Sequence, residues 1–195
     1  MQRILQLLSL LALFTSAPTV IAWDSIGHRV TAAVALQFIS DDKQSLLLEL
    51  LGQHPRFEED FLDAMPDFIA QGSTAMRQEW LLGQAAFWPD IARGIPPAAR
   101  DRYNHPSWHF IDGAWVRGAA LSQGNIYIGI ARFPDIQGEE AATIREESMV
   151  HNVITALDYN ARVLREADRP AADRAVALCW LLHLVGDFHQ PLHTG

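Results

Sequence analysis

Apolar residues recur at three- and four-residue steps along most of this chain, a period that predicts helices joined by loops. The pattern places helices over residues 26–39 and 44–51, the second closed by Gly52, and further helical stretches over 60–70 and 73–84. The longest predicted helix covers about residues 139–167, with Val150, Val153, Ile154, Leu157, Ala161 and Leu164 along one face. Asp168 and Pro170 then restart a helix through the strongly apolar stretch that ends near His193. Residues 94–134 carry prolines and aromatics without helical period and read as ordered loops, in which 125–130 could form a short strand. The expected class is all-α.

Composition sharpens this picture. At 195 residues and 49% hydrophobic content, one compact domain with a sizeable core is expected. Residues 1–22 stand apart from it. Met1 and Arg3 make a short cationic start, residues 4–14 are apolar, and Val20 and Ala22 supply the small residues of a signal-peptidase site. Cleavage after Ala22 would export the protein, to the periplasm or the medium, with Trp23 as its mature N-terminus. A membrane anchor fits worse, because the apolar run is too short to span a bilayer. The single cysteine, Cys179, lies in an apolar helix and reads as a buried small hydrophobe, leaving no intramolecular disulfide. Bound metal is then a natural stabiliser for an exported domain. The net charge of −8 argues against broad electrostatic binding of nucleic acid, unless divalent cations in a cleft supply the positive charge locally.

Four separated segments hold atoms suited to metal. The last contains His183, Asp187 and His193 at the spacing H-x3-D-x5-H. His183 and Asp187, four apart, share one helix face, Gly186 leaves room beside it, and Pro191 breaks the helix before His193. Neutral imidazole with carboxylate suits zinc. At the expected mature end, the α-amine and carbonyl of Trp23 could chelate a metal with His28 as third ligand. The other two segments are Trp88-Pro-Asp90-Ile-Ala-Arg93 and Trp108-His109-Phe110-Ile-Asp112. Taken singly, His28 reads as a capping or surface residue, Asp90 and Arg93 as a solvated pair, Trp88 as core and His109 as a satisfied core histidine. His183 and Asp187 make a stronger case, since burying both unpaired would be costly.

Together and in this order, W-x4-H after a signal peptide, W-x-D-x-x-R, H-F-I-D and H-x3-D-x5-H resemble the S1/P1 family of zinc-dependent nucleases, relatives of bacterial zinc phospholipase C. The resemblance covers the chain from Trp23 onward. It implies a phospholipase C/P1 nuclease-like helical fold holding three zinc ions in a cleft. Asp90, His109, His183 and Asp187 match the ligands of one zinc; Trp23, His28 and Asp187 match those of a second, with Asp187 bridging; His193 matches one ligand of a third. Arg93 matches the arginine that stabilises phosphate charge, Asp90 a residue that orients the attacking water, and Phe110 and Asp112 a base pocket. The implied activity is hydrolysis of single-stranded DNA and RNA to 5′-phosphorylated products, with 3′-nucleotidase activity, by a monomer without a membrane anchor.

Two departures from the family pattern stand out. The family continues past H-T-G to an H-x3-D pair that completes the third zinc site, whereas this sequence stops at Gly195, so a fragment of a longer protein is expected. Residues 53–72 look like an insertion. His54, His105, His151 and His189 match no ligand and are expected to be structural or surface residues. Two alternatives remain open: a zinc phospholipase C sharing the metal scaffold, and a non-catalytic zinc-binding remnant.

Overall fold

The computed structural model describes residues 24–111, 152–190 and 193, and every regular element among them is helical. The helices are α1 (Ser25–Leu36), α2 (Asp41–Leu51), α3 (Asp67–Ala70), α4 (Thr74–Ile91), α5 (Pro97–Tyr103), α6 (Val153–Arg165) and α7 (Ala171–Phe188). A π-helical turn spans Glu58–Leu62 and a 3-10 turn spans Pro106–His109. Trp23, Asp112, His151 and residues 125–130 lie outside the described residues, so the strand expected there is not addressed.

α7 is the hub. It packs against α1, α2, α4, α6 and the 3-10 turn, which explains why its sequence is apolar nearly all round. Its buried residues include Val176, Leu178, Trp180 and Leu184. Cys179 is also fully buried there, as its apolar neighbours imply, and burial pushes its thiol pKa well above the ordinary value. α6 is the clearest amphipathic helix, with Val153, Ala156, Tyr159, Asn160 and Val163 turned inward.

Local chemistry corrects several boundaries. The long helix expected over 139–167 does not run through residue 152. The Asn152 side chain accepts hydrogen bonds from the Ile154 and Thr155 amides at 3.0 and 3.1 Å, and the Thr155 hydroxyl answers by accepting from the Asn152 amide. That capping box starts α6 at Val153. The stretch expected to be helical over 60–70 is instead the π turn and the single-turn α3, separated at Pro66, which cannot extend a helix from its N-terminal side. The loop expected from 94 contains α5, started by prolines at 96 and 97, and the 3-10 turn, started by Pro106. α4 runs beyond 84 to Ile91 despite Pro89 in its last turns.

The segment 53–72 is tied to α4 rather than loosely appended. Asp60 accepts both Nε–H and an Nη–H of Arg56 at 2.7 Å, and its Oδ2 also accepts the Trp88 indole N–H at 2.9 Å. The Gln84 amide donates to the Asp60 carbonyl at 2.7 Å. His54 is buried among Phe61, Trp88 and Tyr103, with its ring 4.3 Å from that of Trp88. The Arg56 amide donates to His54 Nδ1 at 3.2 Å, so the neutral ring carries its proton on Nε2.

Burial lowers the His54 pKa from 6.5 to about 4, with the opposing influence of Asp60 too weak to restore it. The unfolded chain therefore binds more protons than the folded one between these values. This contribution to stability is intact above pH 6.5, declines as the pH falls, and is lost below about 4. Its full size is roughly 3 kcal/mol. Urea unfolding of metal-free protein should lose stability more steeply on acidification in the wild type than in His54→Leu. Equal slopes in the two proteins would contradict the buried neutral imidazole.

Candidate metal centre

Four elements deliver the cluster. α1 begins at an N-cap, Asp24, whose carboxylate accepts from the Ile26 and Gly27 amides at 2.9 and 3.2 Å. This start sets His28 on the inner face of the first turn, beside Ala32 one turn on. α4 brings Asp90 in its last turn, the 3-10 turn brings His109 at its end, and α7 brings His183 and Asp187 on one face. His28, His109, His183 and Asp187 are all buried. His193 reaches the same place from the turn after α7, held by a hydrogen bond from the Ile111 amide to its carbonyl at 2.8 Å.

Asp187 sits at the centre. Its Oδ2 lies 2.9 Å from His109 Nδ1 and 3.0 Å from His183 Nε2. Its Oδ1 lies 3.1 Å from His193 Nδ1 and 3.6 Å from His28 Nε2. Each carboxylate oxygen thus faces two imidazoles. The ligand atoms of His28, His183 and Asp187 lie within 4.8 Å of one another, as do those of Asp90, His109 and His183. The His28 and His183 rings stack with centroids 3.9 Å apart.

The proton count shows what such a cluster needs. His183 Nδ1 lies 2.8 Å from the Ala86 carbonyl, which can only accept, so Nδ1 carries the hydrogen and the neutral ring turns a bare Nε2 lone pair inward. That Nε2 is 2.9 Å from His109 Nδ1 as well as 3.0 Å from Asp187 Oδ2. One hydrogen on His109 cannot serve both neighbours well, which leaves electron-rich atoms packed against one another. Protonating more histidines is the costly remedy. Burial, followed by the charge of His183, pulls the His28 pKa down to about 4, and burial also lowers that of His109. Burial works against the charged form of Asp187, but the contacts with His109 and His183 outweigh it and hold the carboxyl well below the usual carboxylate range. With His28 and His109 held against protonation beside an ionised carboxylate, the cluster could hold a cation. Nitrogen and oxygen donors of this kind, with a second hydrogen bond from His183 to backbone, fit zinc.

Helix packing makes the convergence possible. A Cβ on Gly186 would lie 2.9 Å from His28 Nδ1 and 3.5 Å from Thr31 Oγ1, so α1 and α7 can cross here only without a side chain. Thr31 in turn donates its hydroxyl to the His28 carbonyl at 2.8 Å.

Of the residues singled out from sequence, His28, Asp90, His109, His183, Asp187 and His193 meet in one place. Arg93 is also present: its guanidinium lies 2.7 Å from Asp90 Oδ1, with more than half of the side chain exposed. The solvated pair expected of Asp90 and Arg93 therefore exists, but Asp90 is only 17% exposed and turns its other oxygen to His28 at 3.8 Å. Phe110 follows His109 with a partly exposed ring, and its carbonyl accepts from the Val153 amide at 3.2 Å. Trp23 and Asp112 fall outside the described residues. Among the unassigned histidines, His54 is core, His105 stacks on Trp108, and His189 bonds the Val185 carbonyl from an exposed position. The Ala86 carbonyl was missed, because side-chain patterns do not mark backbone acceptors; Pro89, three residues on, was the available hint that this helix end is irregular.

Fold and site together define a protein, helical throughout its described residues, in which buried histidines and one central carboxylate could hold metal. The chain belongs to the S1/P1 nuclease family, whose model matches residues 23–195. No curated protein and no solved structure matches it. Membership makes the protein a nuclease-type phosphodiesterase, a hydrolase whose substrate class is nucleic acid. No helix among the described residues is long and apolar enough to cross a membrane.

Gly186→Ala should leave a helical, folded protein whose zinc affinity drops about tenfold or more, since the methyl group displaces His28. Titration with a zinc chelator alongside circular dichroism checks this, and unchanged affinity would show that the crossing is not needed. Asp187→Asn should empty more than one metal position together; metal analysis finding full occupancy would contradict a shared carboxylate.

Proposed function

We propose that the protein is an exported zinc-dependent endonuclease that cleaves single-stranded DNA and RNA to 5′-phosphorylated products and also removes 3′-phosphates from nucleotides. The observation that carries this reading is the central carboxylate of Asp187, with two histidines at each oxygen. In this reading His109, His183, Asp187 and Asp90 would hold one zinc, and His28, Asp187 and the amine and carbonyl of Trp23 would hold another. His193 belongs to a third. The bound ions would supply acidified water and positive charge for a phosphodiester.

The remaining residues bind and orient. Arg93 is anchored by Asp90 yet exposed, so its free N–H groups can meet a phosphate oxygen at the rim of the cluster. Asp90 turns one oxygen to Arg93 and the other to His28, a position from which it can orient a water. The Phe110 ring offers a stacking surface that suits any base and favours unpaired strands, with Asp112 accepting from the base edge. Residues 1–22 act as an export signal in this proposal, and cleavage after Ala22 frees the Trp23 amine. The mature form in this proposal is a monomer.

Purified zinc-loaded protein should degrade single-stranded DNA and RNA, leave 5′-phosphate ends, and stop with chelator. Hydrolysis of phosphatidylcholine in place of nucleic acid would establish the phospholipase reading, and zinc uptake with neither activity would establish a non-catalytic binder. Arg93→Ala should lower kcat by about a hundredfold with metal content unchanged, the size expected for removing a charge-stabilising donor. A form retaining one extra residue before Trp23 should lose activity; full activity in that form would remove the terminal amine from the ligand set.

A further inference from the structure

α1 and α4 run antiparallel, with His28 beside Asp90 at the metal end and Leu36 near Ala75 at the other. Between them a groove of about 270 Å³ starts at Arg29 and Gly83 and continues past Trp80 and Ala33. We propose that this groove is a second phosphate subsite, in which Arg29 holds the backbone of a single strand whose reacting phosphate lies at the metal centre. The inference rests on the nuclease reading above.

Arg29 is a half-buried cation with no counter-ion among the described residues. Its guanidinium lies 5.1 Å from the centre of the Trp80 ring and 6.0 Å from that of Phe87, and an Nη–H donates to the Gln84 side-chain carbonyl. Gln84 is held in that orientation, because its own amide donates to the Asp60 carbonyl at 2.7 Å. No carboxylate among the described residues pairs with Arg29. Desolvating a guanidinium against a neutral amide alone is unfavourable, and an arriving anion relieves it. The planar fork leaves further N–H groups for such an anion.

Two features select a phosphodiester chain over a simple anion. Trp80 stands beside the cation, so a base can stack where its neighbouring phosphate is bound, the combination used by sites for unpaired strands. The groove is also in line with the chemistry. Gly83 and Asp90 are seven residues apart on one face of α4, or about 10 Å along the helix. A dinucleotide with its only phosphodiester at the metals has no second one to offer Arg29, whereas a tetranucleotide has. Gly83 matters because a Cβ there would press on Arg29 Cγ at 3.3 Å, and its absence lets the arginine lie against the helix. Glu79 is the opposing feature: it lines the same groove, is exposed, and repels phosphate.

The test is the ratio of affinities for tetra- and dinucleotides, measured with fluorescent, phosphorothioate-linked oligothymidylates that bind without being cleaved. Arg29→Gln should cut the tetranucleotide preference about tenfold, what one charge-assisted contact provides. Arg29→Lys, which keeps the charge but loses the fork, should retain a preference between those of wild type and Arg29→Gln. Glu79→Gln, at an exposed position, should raise the preference and reports even if Arg29→Gln does not fold. Equal loss on both lengths in Arg29→Gln, or an unchanged ratio in Glu79→Gln, would overturn the subsite. If wild-type protein cleaves no nucleic acid at all, the proposed function fails separately, and the binding ratio still decides the groove.

Discussion

Everything in this structure is arranged around one buried negative charge. Asp187 is inside the protein, where a lone carboxylate would cost several kcal/mol, and burial opposes protonation of two of the imidazoles around it, those of His28 and His109. Such a group can be compensated by borrowed protons, by water, or by cations. The donor set favours cations, because His183 has its only hydrogen committed to the Ala86 carbonyl and turns a lone pair toward the carboxylate. The helices are placed to serve this point: α7 is the hub because it carries the charge, and α1 reaches it only where Gly186 removes the obstruction.

The constraint propagates outward through α4. Asp90 can approach His28 only if the last turns of α4 are held in place, and Pro89 leaves those turns with one fewer backbone hydrogen bond. Trp88 and Gln84 compensate by anchoring the helix to Asp60, so residues 53–72 act as a buttress for the metal face. The same Gln84 orients Arg29. The buttress and the groove therefore belong to one hydrogen-bonded unit that starts at Arg56 and ends beside His28.

The parts of this arrangement that sequence made legible share a property: they depend on side-chain identity at short spacing. His183 and Asp187 at four residues apart could be placed on one face before any coordinates, and the all-helical class followed from periodicity. Gathering His28, Asp90 and His109 into the same cluster depended on the family resemblance, since nothing in their spacing brings three distant segments together. What stayed hidden depends on backbone and tertiary geometry. The Asn152 cap is a four-residue pattern, Asn152 to Thr155, masked by apolar periodicity that continues across it, and the π turn at 58–62 carries no periodic signature at all. Arg29 carries no signal in the sequence, because its place beside Trp80 and Gln84 is visible only in the fold.

A net charge of −8 is a poor start for a protein of a nuclease family. Long-range repulsion of that kind is screened over about 8–10 Å at physiological salt, whereas a desolvated cation in a cleft acts at contact. Positive charge concentrated at a buried cation centre, with Arg93 at its rim and Arg29 along the adjoining groove, can therefore outcompete a diffuse acidic surface. The arrangement also bears on selectivity. Under the proposed function, cations with the Phe110 and Trp80 rings near them would suit a flexible strand that can present phosphate and base alternately. A duplex, with its bases turned inward, would gain the ionic contacts without the stacking, and discrimination against it would then arise from unused aromatic surface rather than from an added clash.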